Sequence, residues 1–473
     1  MTPGQNARGP RLWLWCLATL ALVIIFGLLL QPTAKNGEAS ISTNQPSAQN
    51  GAGVRMAKLP RHFTNPLRRH QGESEASAGQ IVAGKLKTFA VSRRKLAQGL
   101  AQRHGITVPA SVEKFFDAVE AGNWDEIKAR YHEINSGDGS ATTHAGRPPD
   151  IQALWPAIVD AFGAAEQVHL WPPQQLLDYG NSVMNSLSPG MVYVGGTDDG
   201  RWVPELMNES SGDTPHIMLT QNGLADDGYL DYVNLQYGDQ LATLTAADAD
   251  QATQNYLADY QQRLAHDQQF PNEPPQIRPG EAVSIGSNGQ PQVSGPSSQV
   301  SVMAINENLL NMLMNENPQL SFGLQESYPL KSTYGDALPL GPIMELRAAD
   351  AQNTFTPDIA AQSLSYWNTR TEQLLSDPDA AGSSEALKVY AKDEAAAANL
   401  LAAHNYTAEA GQMYGSAVQL APDQPGAVSG YVNFLLGQNQ PQQAIAVAQN
   451  AIQANPNNQQ LQNLLNQAKA AAH

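Results

Sequence analysis

The first pattern along the chain is one long apolar run, residues 12–30 (LWLWCLATLALVIIFGLLL), which carries no charge. Its nineteen residues are enough to cross a hydrocarbon core of about 30 Å as a helix. The apolar region of a cleaved signal peptide has only about 7 to 15 residues. We therefore predict an uncleaved transmembrane anchor, with cleavage as the alternative.

Basic residues on either side of the run predict its orientation. Arg8 and Arg11 precede it, whereas Lys35 is the only basic residue among the next twenty. Positive charge close to a span favours the cytoplasmic side. We expect residues 1–11 in the cytoplasm and a single-pass protein whose body is extracytoplasmic, in the periplasm of a bacterial cell.

Two stretches without strand signals follow the anchor. Residues 31–80 are rich in Ser, Asn, Gln, Gly and Ala and have no apolar period, which is typical of a disordered tether. In residues 81–150, apolar positions such as Phe115, Val119 and Ile127 recur at spacings of three to five. That spacing predicts a helical segment.

Residues 151–350 alternate between helical patterns and short apolar runs. Four runs, MVYVGG, HIMLT, LSFGLQES and IMELR, have the composition of strands, and helical patterns separate them. Such alternation is typical of helices packed on a sheet. We predict an open α/β sheet domain over 151–350, followed by a linker helix region over 351–383.

The carboxy-terminal residues 384–473 repeat with a period of 34. Pro422 and Pro456 are 34 residues apart, as are Ala410 and Ala444. This period is that of the tetratricopeptide repeat, a pair of helices. The residues expected to pack the repeats are Leu401, Ala410, Tyr414, Ala417, Pro422, Leu435, Ala444, Ala451 and Pro456. The fold class predicted for the whole chain is thus α/β plus all-α, with an amino-terminal transmembrane helix and repeats resembling tetratricopeptide repeats.

Charge and cysteine content restrict the function. The net charge is −17, yet residues 51–104 carry eleven basic against two acidic side chains, a basic collar on the tether and the first helical segment. The acidic remainder repels nucleic acid, so we expect no nucleic-acid partner. The only cysteine, Cys16, lies in the apolar run. The body therefore cannot use a cysteine nucleophile or a cysteine-ligated metal.

The loop GGTDDGR after the first predicted strand is the most suggestive chemical site. Ligands of open α/β sheets bind at the carboxyl ends of strands, where glycines let backbone approach a ligand and aspartates can hold a divalent cation. The ligand-binding candidates are Gly195, Gly196, Thr197, Asp198, Asp199, Arg201, Asp226 and Asp227. The alternative is that these Asp-Gly pairs are ordinary turns and helix caps.

Other catalytic patterns are missing from the sequence. The ten histidines show no H-E-x-x-H or H-x-H spacing, and no G-x-S-x-G or phosphate-binding glycine motif occurs. We therefore predict no cofactor and no metal, assign no catalytic residue, and lean against enzymatic activity.

The block SPGMVYVGGTDDGRWV…IMLTQNGLADDGYLDYV resembles the soluble region of bacterial DUF2723-type, O-mannosyltransferase-like membrane proteins. Gly195, Gly196, Thr197, Asp198 and Trp202 hold matching places, and the resemblance covers residues 180–350 and the repeats. It implies an extracytoplasmic α/β domain joined to repeats. It does not imply transferase activity, because the chain has one predicted span where such transferases have many.

These patterns favour a membrane-anchored scaffold. Repeats of this kind commonly bind a protein partner, so we expect an extracytoplasmic interaction protein with a role in cell-envelope or glycan assembly. The alternative is a glycosyltransferase-like or nucleotide-sugar-binding enzyme that uses the acidic turns at the sheet edge. The oligomeric state is not predicted.

Overall fold

The structure is a computed structural model. It describes residues 77–135, 147–196, 199–209, 216–273, 275–277, 281, 283–285, 291–292, 299–326, 334–346 and 355–472. The predicted cytoplasmic segment, the anchor at 12–30 and the tether up to residue 76 lie outside the described residues. No helix within the described ranges has the length and apolar character needed to span a membrane.

Five helices form the first layer. They are α1 (Ala78–His104), α2 (Ala110–Ala121), α3 (Trp124–Asn135), α4 (Pro149–Leu170) and α5 (Pro173–Met184). Helix α1 begins with a capping box, in which the Ser77 hydroxyl accepts from the Gln80 amide and the Gln80 side chain accepts from the Ser77 amide. Gly105 ends it at φ +66°, a conformation that glycine adopts without strain.

Five short strands form one sheet, which has the order β2-β1-β5-β7-β6. Strands β1, β2 and β5 are parallel, whereas β5, β7 and β6 pair antiparallel. Their bounds are β1 Val192–Gly195, β2 Met218–Thr220, β5 Phe322–Leu324, β6 Ala337–Leu340 and β7 Ile343–Leu346; β3 (Ser284–Ile285) and β4 (Pro291–Gln292) pair separately.

Four helices lie between the strands along the chain. They are α6 (Asp199–Glu209), α7 (Asp227–Tyr237), α8 (Ala246–Gln269) and α9 (Gln299–Glu316), with 3-10 turns at Gln221–Gly223 and Tyr334–Asp336. Helix α6 packs closely on α4, because Gly163 leaves room for Trp202. A Cβ at Gly163 would lie 2.2 Å from the Trp202 ring.

The predicted α/β fold class is wrong. The described residues are mostly helical, with sixteen α-helices and strands of only two to four residues. Strands β1, β2, β5 and β7 lie within the apolar runs named above, whereas β6 and the β3–β4 pair do not, and turns bound the runs too closely for longer strands. Three helices, α7 to α9, separate β2 from β5, so strand and helix do not alternate regularly.

The remaining helices run to the carboxyl end. They are α10 (Pro357–Ser376), α11 (Pro378–Ala381), α12 (Ser384–Ala403), α13 (Thr407–Leu420), α14 (Pro425–Gly437), α15 (Pro441–Ala454) and α16 (Gln459–Ala470). One hydrophobic core extends from Val82 through the sheet to Ala427, while Val428 to Ala468 form a second, small core. From here on, the body means the helices and the sheet that precede α12. Helices α12 and α13 therefore share the core of the body, and α14 to α16 largely pack on one another.

Candidate functional site

The repeated unit is a pair of helices joined by one asparagine turn. Asn405 lies between α12 and α13 and Asn439 between α14 and α15, and they are the two non-glycine residues with positive φ in the described part of the chain (66° and 56°). Asparagine tolerates this left-handed conformation better than most residues. The matching turns, 34 residues apart, make the two helix pairs structural repeats.

The predicted packing residues divide into a buried set and an exposed set. The prolines lie exposed in the turns that follow α13 and α15, where a proline cannot continue a helix. The buried residues are Leu401, Ala410, Tyr414, Ala417, Leu435, Ala444 and Ala451, and the exposed ones are Pro422 and Pro456.

Polar side chains bond the first helix pair to the sheet. Asn399 of α12 donates to Glu326 Oε1, which lies just beyond β5 (2.9 Å), and accepts from the Tyr414 hydroxyl of α13 (2.6 Å). The Tyr334 hydroxyl also donates to Glu326. Burial raises the pKa of Glu326 to about 7. The end of β5 is therefore part of the interface with the repeats.

A second carboxylate closes the same interface. Asp393 of α12 accepts from the Gln325 side chain (2.7 Å) and from the Tyr179 hydroxyl of α5 (2.8 Å). All three residues are buried. Hydrogen bonds to a charged group are stronger than neutral ones, so Asp393 ties α12 to both the sheet and the first helical layer.

The third acid of this interface stands at a repeat signature position. With Leu401 at the tyrosine of the W-x-x-L-G-x-x-Y pattern, Glu394 takes the place of the tryptophan. Its carboxylate accepts from Thr371 of α10 (3.2 Å), and Thr371 in turn accepts from Ser416 of α13 (3.1 Å). Burial raises the pKa of Glu394 to about 8.

The second helix pair has no such ionisable interior. Val428 stands where Glu394 stands one period earlier, and it is buried. Asn433, one period after Asn399, accepts from Gln467 of α16 (3.1 Å). Asn399, Asn433 and Gln467 thus recur every 34 residues on the first helices, and we call them the amide row. Its first member contacts the body, and its other two join α14 to α16.

The predicted ligand-binding residues at the sheet edge are only partly described. Gly195 ends β1, and a Cβ there would lie 3.1 Å from the Arg201 backbone, so glycine permits the close approach of α6. The Gly196 carbonyl accepts from the Thr220 hydroxyl (2.6 Å). Thr197, Asp198 and the side chain of Asp199 lie outside the described residues, so their role remains a prediction.

The second predicted acidic turn caps a helix. The Asp226 carboxylate accepts from the Tyr229 amide at the start of α7 (2.8 Å). Asp227 is the first residue of α7 and is exposed. A capped helix start of this kind fits the structural alternative, since aspartate is a preferred N-cap residue.

Arg201 belongs to a buried ionic cluster that the sequence did not reveal. Its guanidinium bonds Asp160 of α4 and Glu205 of α6, the latter at 2.8 Å, and Arg93 of α1 lies 3.7 Å from Asp160. The Tyr232 hydroxyl donates to Asp160 (2.6 Å). Arg201 is therefore bound internally, between α1, α4 and α6, instead of facing the sheet edge.

Burial and the balance of charge determine the properties of this ionic cluster. Two guanidinium groups and the carboxylates of Asp160 and Glu205 are almost wholly removed from solvent. Burial raises the pKa of Glu205 to about 7. Breaking such a cluster leaves an unpaired buried charge, which destabilises a fold strongly. No group of three or more His, Cys, Asp or Glu within the described ranges could hold a metal ion.

Comparison with known proteins identifies one class within the chain. Residues 400–468 match the tetratricopeptide repeat family model, which confirms the repeats and supports a protein-interaction role with protein partners. Neither a search of curated proteins nor a search of solved structures gave a match. The match covers the repeats alone, so the resemblance of residues 180–350 to O-mannosyltransferase-like proteins remains a prediction.

Proposed function

We propose that the chain is a scaffold whose protein partner binds α14 and α16, on the side that carries the amide row. The contact between Asn399 and Glu326 supports this assignment most directly. It places the body against the first member of the row. Tetratricopeptide repeats bind partners along the surface formed by stacked helix pairs, and the body covers that surface at α12.

The composition of the repeats indicates what kind of partner fits. Residues 400–468 contain two acids, Glu409 and Asp423, and no lysine or arginine, and they are rich in asparagine and glutamine. Such a surface offers neutral amide donors and acceptors and little electrostatic attraction. The partner contact is therefore polar and uncharged, and its affinity changes little with salt.

Site-specific photo-crosslinking tests this surface. Asn463 is an exposed position on α16, which takes the place of the first helix of a repeat. A benzophenone amino acid at this position is expected to crosslink a protein in cells. The matched control is Gln449, which is exposed on α15, the second helix of its pair. Crosslinking from Gln449 and none from Asn463 would reverse the assignment of the binding side, and crosslinking from neither would contradict the scaffold.

Membrane attachment is the second part of the proposal. The uncharged run at 12–30 behind Arg8 and Arg11 supports a single span with an extracytoplasmic body. In that position the scaffold would act in cell-envelope or glycan assembly. Protease added to spheroplasts should digest the body and leave a small membrane-held fragment, whereas full protection of the body would reverse the topology.

A further inference from the structure

A groove lies between α1, the end of α6 and the end of α7. Its volume is about 350 Å³, which falls within the range of small-molecule sites, about 300 to 1,000 Å³. Helix α1 lines it with Ser92, Lys95, Leu96 and Gly99, and α6 contributes its last residue, Glu209. Charged side chains of both signs therefore line one small groove.

Two leucines give the groove an apolar part. Leu96 of α1 and Leu235 of α7 both line it, and both are half-buried. Leu235 packs directly on α1, because Gly99 has no side chain there. A Cβ at Gly99 would lie 3.0 Å from the Leu235 side chain. Half-buried apolar side chains gain free energy when an apolar group of a ligand covers their remaining surface.

Glu209 connects the groove to the buried ionic cluster. Its carboxylate accepts from the Ser92 hydroxyl (2.6 Å) and from the Arg93 guanidinium (3.4 Å). The Glu209 side chain is 23% exposed, whereas that of Arg93 is 2% exposed. With Asp160 and Glu205, the cluster has three carboxyl groups against two guanidinium groups. It can therefore accept one further cation, and a cation from solvent reaches it at Glu209.

The carboxyl ends of two helices also favour a cation in the groove. Helix α6 ends at Glu209 and α7 ends at Tyr237, and Gln236 of α7 lines the groove as well. Neither helix has a basic residue in its last turn. The partial negative charge at the carboxyl end of a helix is therefore not offset by a side chain of α6 or α7, and an ammonium group fits beside both ends.

Lys95 supplies the opposite charge but does not pair with Glu209. Lys95 is exposed, and the ion pairs among the described residues join Glu209 to Arg93 and not to Lys95. Lys95 lies three residues after Ser92, which donates to Glu209. Side chains three apart on a helix are neighbours, with Cβ atoms about 5 to 6 Å apart. A small group that carries both charges can therefore pair with Lys95 and Glu209 at once.

We propose that this groove binds the zwitterion of a free α-amino acid with an apolar side chain. The ammonium group of the ligand binds Glu209 beside the ends of α6 and α7, and its carboxylate binds Lys95. Its side chain packs on Leu96 and Leu235. A simple amine or a simple carboxylate would meet only one of the two charges. The site lies in the body, so it is independent of the protein partner proposed above.

Saturation-transfer NMR with L-leucine on the full chain tests the proposal. L-leucine should give a saturable signal. L-leucinamide lacks the carboxylate and N-acetyl-L-leucine lacks the ammonium group, so each should bind about threefold to tenfold more weakly than L-leucine. The absence of a saturable signal from L-leucine, or equal binding of all three compounds, would overturn the site.

Lys95→Gln tests the carboxylate contact by itself. Because Lys95 is exposed, this variant should fold as the native chain does. It should weaken L-leucine binding about threefold to tenfold and leave the binding of L-leucinamide unchanged. Lys87→Gln is the matched control, since Lys87 is exposed on the same helix and does not line the groove. If Lys95→Gln weakens both compounds equally, or if Lys87→Gln weakens L-leucine as much, the proposal fails.

Discussion

The two helix pairs of the repeats have the same turn and the same period but different interiors. The first pair, α12 and α13, buries Asp393 and Glu394 against the body, whereas the second pair buries Val428 and alanines against its own neighbours. Both pairs fit one repeat pattern, because the pattern specifies how the two helices of a pair cross. It does not specify which element packs against the other side of the pair. The comparison shows that a repeat can be converted into a structural connector by replacing apolar positions with bonded polar ones.

Because α12 and α13 connect the repeats to the body, the start of the first repeat is not a boundary of the hydrophobic core. The main core passes from the sheet through α12 and α13 to Ala427 without interruption. Stability in a repeat array is a sum of unit and interface terms, and here α12 has interfaces with α10 and the sheet in addition to its interface with α14. The end of the array, α14 to α16, depends on fewer contacts.

Separating the repeats from the body should have the largest effect. A fragment of residues 384–473 exposes the side chains of α12 that contact the sheet and α10, so we expect no cooperative thermal transition from it. A chain that ends at Gln424 should keep the main transition of the full protein. Thermal unfolding of both chains is followed by circular dichroism. Cooperative unfolding of the fragment near the full-chain Tm would contradict the role of α12 in connecting the repeats to the body.

Stability should fall as pH rises, because buried acids, among them Glu394 and Glu326, hold protons in the folded state. Burial raises the pKa of Glu394 to about 8 and that of Glu326 to about 7. Between pH 4.5 and 8 the unfolded chain releases protons that the folded chain keeps, so the free energy of unfolding decreases with pH across this window, by up to about 1.4 kcal/mol per unit for each group.

Glu394→Gln should remove part of this slope. The substitution keeps an acceptor for Thr371 and eliminates the titrating proton, so its stability relative to the native chain should improve from pH 5 to pH 8. Urea denaturation at both pH values measures the difference. Glu409→Gln on the outer part of α13 is the control and should leave the slope unchanged; an equal change in both variants would exclude Glu394 as the source.

The sequence predicted the features that depend on residues close together in the chain. The 34-residue period predicted both helix pairs, since the two helices of each are adjacent in sequence, and the short apolar runs marked four of the five strands of the sheet but not β6. The predicted α/β class failed because the runs are too short to dominate the fold. Helix α1 begins at Ala78 with a capping box, although the sequence predicted a tether up to residue 80 and a helical segment only from residue 81.

The interiors could not be predicted because their partners are distant in sequence. Tyr179 and Asp393 are 214 residues apart, and Arg201 and Asp160 are 41 apart. A single arginine or aspartate in a helix resembles any solvated residue until its partner is known. For Glu394 one signal existed, because an acid at the tryptophan position of a repeat is unusual.

A larger side chain at the crossing of each helix pair should destabilise a different part of the molecule. Ala410 and Ala444 are both 0% exposed, and replacing either with leucine should cost about 1 to 3 kcal/mol. Ala410→Leu should lower the main transition. Ala444→Leu should leave it in place and speed hydrogen exchange in α14 to α16. Equal effects on the main transition would mean that the two pairs unfold as one unit.

The amide row gives the smallest and sharpest test. Asn399→Ala leaves the Tyr414 hydroxyl without its partner and Glu326 with the Tyr334 hydroxyl alone, which should cost about 1 to 3 kcal/mol. Asn433→Ala removes its bond with Gln467, a neutral hydrogen bond worth about 0.5 to 1.5 kcal/mol. Urea denaturation compares the two variants. Glu326→Gln should reduce the cost of Asn399→Ala in a double-mutant cycle and leave that of Asn433→Ala unchanged. If Glu326→Gln couples equally to both, the row acts as one network, and the first pair is no more joined to the body than the second.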